Sequence, residues 1–208
     1  MYEEINSSRT PIYRDASFYF NDIDQALKAR QEETTYPQSS SDYIYTRYGN
    51  PTCVETEKKL ASLEESEWAV LSSSGMSAID IALSIFQEKD RKGTWLFFSE
   101  LYGGTNDYID EILVKRRGVE IQRFYPDNEN ESYDIIKFQE LLINLKPDLI
   151  YFEPITNPLL IVIDGIEVIK AAKGIGSRII VDNTFATPYL WHPLDTVQIL
   201  SFIALLSI

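Results

Sequence analysis

The 208-residue chain contains one cysteine, Cys53, and one histidine, His192. A single cysteine excludes an internal disulfide and fits a reducing compartment. So few thiols and imidazoles also leave too small a donor set for a zinc site, and no metal is expected. A nucleophilic Cys/His pair would need the two side by side, and Cys53 and His192 stand far apart in sequence. Basic residues are scarce: Lys plus Arg total 19 against 32 Asp plus Glu, a formal net charge of -13. That deficit argues against nucleic acid and against anionic membrane surfaces as partners. The acidity is spread along the chain and reads as a solvated surface. No apolar run reaches the length of a membrane span, the apolar stretch from Val197 to Ile208 included. The opening Met-Tyr-Glu-Glu-Ile-Asn has neither a basic region nor an apolar core, so no signal peptide is expected and the reading is cytoplasmic.

What remains is an ordinary globular composition, 44% hydrophobic and 25% charged, long enough for one large domain. Residues 1–50 read as an extended arm, rich in aromatics and polar clusters such as Gln38-Ser39-Ser40-Ser41-Asp42. Its tyrosines suit packing on another surface, such as a second subunit. Pro51–Leu63 reads as a helix, with Pro51 in its first turn and Thr52 able to cap it. Strands are expected at Trp68–Leu71, Thr94–Phe98, Val119–Phe124, Leu149–Phe152 and Ile179–Val181. Helices are expected at Met76–Phe86, Asn106–Arg117, Ile135–Leu145 and Ile166–Lys173, the last closed by Gly174. A polar loop, Pro126–Ser132, separates two of these elements. Strands alternating with helices predict an α/β fold, a largely parallel sheet with helices on both faces.

Several stretches carry chemistry, each with a plainer alternative. Ser72-Ser73-Ser74-Gly75 joins a strand to a helix. A helix start with free N–H groups attracts a phosphate; the same residues also make an ordinary capped helix. It is neither a P-loop nor a Gly-x-Gly-x-x-Gly fingerprint. Tyr45-Thr46-Arg47-Tyr48 offers a bidentate cation and a hydroxyl for an anion, or simply an arginine stacked on tyrosines. Tyr102 stands before Gly103 and Gly104, where a flat ligand could lie against its ring, or it is a turn tyrosine. Glu153 and Asn157 punctuate another strand end, with Pro154 and Pro158 fixing the loop. Asp182 ends the apolar run Ile179–Val181. A carboxylate there needs a cationic partner, for which a protonated pyridine nitrogen would serve. The alternative is a turn that caps the next segment.

Taken together, YTRYGNPT (Tyr45–Thr52), SSGM (Ser73–Met76), YGGT (Tyr102–Thr105), EPITNP (Glu153–Pro158) and VDNTFATPY (Val181–Tyr189) resemble the Cys/Met-metabolism family of pyridoxal-phosphate enzymes. That family includes cystathionine gamma-synthase, cystathionine gamma- and beta-lyases, methionine gamma-lyase and the homoserine sulfhydrylases. The five stretches follow the family's order over about residues 40 to 195. The resemblance implies the three-layer, mainly parallel large domain of fold-type I pyridoxal-phosphate transferases, incomplete at its C-terminus. It implies an arm at residues 1–60, the cofactor-binding domain at 61–195 and an aberrant apolar tail at 196–208. It also implies a homo-oligomer and a small amino-acid substrate. By the same resemblance, Tyr45 and Arg47 reach the cofactor phosphate of a partner subunit. The Gly75 and Met76 amides hold the chain's own cofactor phosphate. Tyr102 stacks on the ring, Asn157 lies near the ring hydroxyl, Asp182 pairs with the ring nitrogen, and Thr184 lies beside it. Gly104 occupies a place where methionine gamma-lyases usually have cysteine, which counts against that member.

The chain departs from the family after Asp195. There the family continues into a strand ending in Ser-x-Thr-Lys, whose lysine forms the Schiff base. Here residues 196–208 contain no lysine. One permissible coding of a family-like peptide, GADIVIHSATKYIGG, read from its second nucleotide, translates as Val197–Ile208 followed by a stop. The expectation is a change of reading frame near Thr196, with the lysine codon lying under Leu206 and Ser207. The chain is then an inactive truncated product that binds the cofactor weakly at most. The alternative is a non-catalytic fragment that associates with intact homologous subunits. The sheet is expected to end in an open edge, with an aggregation-type tail whose strand-like content could stand in for the missing strand.

Overall fold

A computed structural model describes residues 9–33, 42–88, 93–127, 132–196 and 200–202. These residues form two compact units that divide between Leu71 and Ser72. Among them, no helix is long and apolar enough to cross a membrane.

The first unit holds helices α1 (Ile23–Glu33) and α2 (Pro51–Leu63). Helix α1 corrects the reading of an extended arm. It begins on side-chain caps rather than on an apolar stripe: Gln25 Oε1 accepts from Asn21 N at 2.7 Å, and Asp22 Oδ1 accepts from Gln25 N at 2.8 Å. Ile23 and Leu27 stay exposed and Ala29 is buried, so hydrophobic periodicity leaves little trace of the helix. Helix α2 matches its expected bounds, with Pro51 at its start. Its cap is Asn50, whose side chain accepts from Thr52 N at 2.8 Å. Thr52 instead ties down the preceding segment: its Oγ1 accepts from Tyr13 N at 2.9 Å and donates to Pro11 O at 3.3 Å. A bridge pairs Ser17 with Tyr45, and the rings of Tyr13, Phe18 and Tyr43 stack in series. Trp68–Leu71 forms no strand. The Leu71 N–H donates to the Glu57 carboxylate at 2.9 Å rather than to a ladder. The polar cluster at residues 38–41 lies outside the described residues.

The second unit is built on a five-stranded sheet. Its strands are β1 (Trp95–Phe98), β2 (Ile121–Phe124), β3 (Leu149–Phe152), β4 (Arg178–Asp182) and β5 (Leu200–Phe202). The spatial order is β2-β1-β3-β4-β5 and every pairing is parallel. The helices are α3 (Gly75–Ser84), α4 (Gly103–Tyr108), α5 (Ile135–Leu145), α6 (Gly165–Gly174) and α7 (Thr187–Leu190). The segment expected as one helix from Asn106 to Arg117 starts earlier, at Gly103, and runs from α4 into a π-helical stretch, Ile109–Val114. Strand β5 falls within the tail expected to have strand-like content. The rest of that tail, residues 197–199 and 203–208, lies outside the described residues, as do 128–131 of the polar loop.

Strands β1 and β3 are buried at all four positions, because helices cover both faces of a parallel sheet. Alternation then sorts each strand into two sets. Phe98 and Phe152 lie on the face that packs with Phe124 and Phe138, at ring separations of 5.3 to 5.6 Å. Phe97 and Tyr151 pair in register on the opposite face, as do Tyr151 and Ile180. Two residues beyond Ile180 on that same face is Asp182. Aspartates open the helices of the aromatic side. Asp134 Oδ1 accepts from Ile136 N at 2.8 Å, and Asp164 Oδ1 accepts from Glu167 N at 3.1 Å.

Candidate functional site

The carboxyl ends of β1, β3 and β4 all point the same way, and the residues singled out in the second unit gather there. Ligands of open α/β sheets bind at that edge. Asp182 is the last residue of β4 and is buried. Its Oδ1 accepts from Thr184 N at 3.1 Å and from the Thr184 hydroxyl. Its Oδ2 accepts from the Tyr151 hydroxyl at 3.2 Å. Burial pushes this carboxyl up from its ordinary range, and the Thr184 and Tyr151 hydrogen bonds pull it back. Among the described residues, no cation pairs with Asp182. A buried carboxylate without a cation calls for one.

Glu153 follows β3 and is also buried. Its Oε1 accepts from Tyr102 N at 2.8 Å, across 51 residues of sequence. Burial first, then the charge of Asp182, pushes its carboxyl up to about 8. Glu153 therefore carries its proton at neutral pH and ties the end of β3 to the main chain of the loop after β1. Asn157 precedes Pro158 across a cis peptide bond.

Tyr102 ends the loop after β1 and caps α4. Its ring closes on Gly104. A Cβ added there would lie 2.7 Å from Tyr102 Cε1 and 3.2 Å from Met76 Sδ. The glycine thus lets the tyrosine ring and Met76 converge. Met76 belongs to the first turn of α3, which starts with a reciprocal cap. Ser74 Oγ accepts from Ser77 N at 3.1 Å, and Ser77 Oγ accepts from Ser74 N at 2.9 Å. The first backbone bond of this helix runs from Ala78 N to Ser74 O at 3.0 Å. The amides of Gly75 and Met76 precede it and are two of the donors that a helix start leaves open. The Ser-Ser-Ser-Gly stretch thus caps the helix with side chains, follows no strand, and leaves the first amides of the helix without an intrahelical acceptor.

Tyr45 and Arg47 belong to the first unit. The Arg47 guanidinium sits 5.0 Å from the Tyr45 ring centroid and 5.2 Å from that of Tyr48. Within one chain this is the stacked arginine that formed the plainer alternative.

One residue of the site was not singled out in the sequence, and another, Thr105, stood there only as the last residue of the YGGT stretch. Tyr151 is fully buried beneath Asp182, and Thr105 is fully buried as well. A tyrosine inside an apolar strand needs a partner for its hydroxyl. Tyr151, two residues before Glu153, carried that signal.

These features define an α/β domain of the class that holds a phosphate-bearing cofactor at the carboxyl edge of a parallel sheet. The chain belongs to the Cys/Met metabolism PLP-dependent enzyme family, whose model matches residues 2–199. It is 34% identical over 188 residues to an L-methionine gamma-lyase of Porphyromonas gingivalis, covering 89% of this chain and 43% of that one. It is 35% identical over 156 residues to a cystathionine gamma-synthase of Haemophilus influenzae, covering 75% of this chain and 40% of that one. A solved chain from Campylobacter jejuni, which holds N'-pyridoxyl-lysine-5'-monophosphate at its position 205, superposes with a TM-score of 0.70 at 28% identity, covering 91% of this chain and 43% of that one. The chain therefore spans about two fifths of the length of these relatives. The family's cofactor is pyridoxal phosphate. The donor set fits it: open amides suit a phosphate, the half-exposed ring of Tyr102 suits a flat face, and Asp182 suits a protonated ring nitrogen.

Proposed function

We propose that the chain derives from a pyridoxal-phosphate enzyme of transsulfuration. The reaction class is gamma-replacement or elimination on a homoserine ester, cystathionine or methionine. In this reading, the Gly75 and Met76 amides bind the phosphate, Tyr102 stacks on the ring, and Asn157 lies beside the ring hydroxyl. Asp182, oriented by Thr184, keeps the ring nitrogen protonated. When bound, the protonated ring supplies an electron sink for bonds broken at the substrate's α-carbon. Tyr45 and Arg47 serve the phosphate held by a second copy. The observation that carries the reading is the Asp182 carboxylate at the carboxyl edge of the sheet, buried, hydrogen-bonded and, among the described residues, without a cation.

We infer further that these 208 residues do not perform the reaction. Residues 196–208, where the family's Ser-x-Thr-Lys is expected, hold no lysine. Lys170 is exposed and paired with Glu167 at 2.7 Å on the surface of α6, so it offers no substitute. The fragment then binds the cofactor without a covalent bond. The test is a titration with pyridoxal phosphate, followed by borohydride reduction and peptide mapping. The expected result is weak, saturable binding that Asp182→Asn abolishes, with no adduct at any one lysine. A stoichiometric adduct at a single lysine refutes the inactive reading, and binding unchanged in Asp182→Asn refutes the site. The coding DNA beyond residue 195 tests the change of frame: the shifted frame must encode Ser-x-Thr-Lys.

A further inference from the structure

We propose that Tyr151 is a positioning residue for Asp182, its buried hydroxyl fixing the carboxylate so that Oδ2 keeps one acceptor position for a protonated heteroaromatic nitrogen. The inference rests on the reading of Asp182 given above, and its geometry stands by itself. The two oxygens of Asp182 are used unequally. Oδ1 accepts twice, from Thr184 N and from the Thr184 hydroxyl, which saturates it. Oδ2 accepts once, from Tyr151 at 3.2 Å. A carboxylate oxygen has room for two hydrogen bonds, so Oδ2 is the oxygen left to receive a ligand's proton.

The strand geometry makes Tyr151 a rigid support. It pairs in register with Phe97 on one side and Ile180 on the other. Its ring packs 5.6 Å from that of Phe97. The side chain is fully buried, so the ring is held where the strand places it. Thr184, by contrast, sits in a loop two residues from the carboxylate it holds. Without Tyr151, Asp182 would keep one side anchored and its Oδ2 would lose its donor. Among the described residues, the groups that bear on the Asp182 carboxylate are Tyr151, Thr184 and Glu153, and none of these is a cation.

The experiment uses the 208-residue chain and Tyr151→Phe, which keeps the ring and removes one oxygen. Without cofactor, the chain is labelled with 13C at aspartate Cγ, and Asp182→Asn identifies the resonance. Asp182 is expected to titrate at higher pH in Tyr151→Phe, because a hydrogen bond to the charged form has been lost. With cofactor, Tyr151→Phe is expected to weaken pyridoxal phosphate binding roughly three- to tenfold. An Asp182 titration that does not move in a cooperatively folded Tyr151→Phe overturns the proposal. If the titration moves but Asp182→Asn leaves cofactor binding unchanged, the reading of the site fails and the Tyr151 contact stands. If Tyr151→Phe does not fold, wild-type protein labelled at tyrosine Cζ carries the test. One buried phenol must shift as Asp182 titrates, and the absence of any such shift overturns the proposal.

Discussion

Two glycines show how one kind of collision has different costs in different surroundings. At Gly104 an added Cβ meets the ring of Tyr102 at 2.7 Å. That ring is half exposed and can swing away. Gly104→Ala should therefore change the urea midpoint little, by less than about 1 kcal/mol, while weakening pyridoxal phosphate binding through a displaced ring. At Gly165 an added Cβ meets Trp191 at 2.3 Å, with three ring carbons within 3.0 Å. Trp191 packs toward Phe152 at 6.4 Å, and its main-chain carbonyl accepts from Asn183 Nδ2 at 2.9 Å. The indole is partly buried against the core, so moving it disturbs that packing. Gly165→Ala should cost about 1–3 kcal/mol in urea denaturation. Equal costs at the two positions would show that the Tyr102 ring is as confined as the indole.

At the scale of elements, helix α3 matters through its first turn. Ser74→Ala removes the side-chain cap and should cost about 1 kcal/mol, whereas Ser74→Gly should cost a few tenths. Because Gly75 and Met76 follow directly, the alanine variant should also bind pyridoxal phosphate less tightly. A titration of both variants checks whether the two losses travel together. The elements legible in sequence were those whose apolar pattern had no competitor. Leu149–Phe152 and Ile135–Leu145 were read to the residue, and Asp182 was read as a strand end. Helix α1 was not legible, because polar caps start it and its larger apolar residues face solvent. Trp68–Leu71 had strand-like residues, but Leu71 N donates to the Glu57 side chain instead of to a ladder, and no periodicity reports that. The candidate site was legible wherever a motif lay on contiguous residues, as in Asp182 with Thr184. In Tyr151 only the need for a hydroxyl partner was legible, because that partner, Asp182, stands on the next strand.

For the molecule as a whole, the buried carboxyls couple stability to pH. The Glu153 carboxyl is raised from 4.5 to about 8 by burial and by Asp182, and Asp182 is raised by burial. Between those values the folded chain keeps a proton on Glu153 that the unfolded chain releases. This contribution is complete below about 4.5 and is lost as the pH rises through about 8. Stability should fall across that window, by at most about 1.4 kcal/mol per pH unit for one proton. Asp80 acts in the opposite sense. The Tyr108 hydroxyl and then Arg117 hold its carboxyl below the usual range, so its contribution is lost only toward acid. The net charge of -13 adds self-repulsion at neutral pH in the same direction as Glu153. Glu153→Gln separates the two, since it keeps an acceptor for Tyr102 N and cannot ionise. Urea midpoints measured across the window should show a flatter profile in Glu153→Gln than in the wild type. Saturating pyridoxal phosphate should flatten the wild-type profile too, because a cation beside both carboxyls lowers them.

Strand β3 has one more implication, for how such a domain can change over time. Its alternate residues answer to separate demands: Phe152 to the aromatic packing below, Tyr151 to the Asp182 carboxylate above. Substitutions at one parity leave the other untouched, so the carboxyl edge can be rewritten while the packing stays fixed. A single inserted or deleted residue between Pro147 and Glu153 has no such freedom. It exchanges the two vocabularies at once, setting a phenylalanine under Asp182 and a phenol among the rings of Phe98 and Phe138. Point changes in this strand are negotiable one at a time, and changes of length are not.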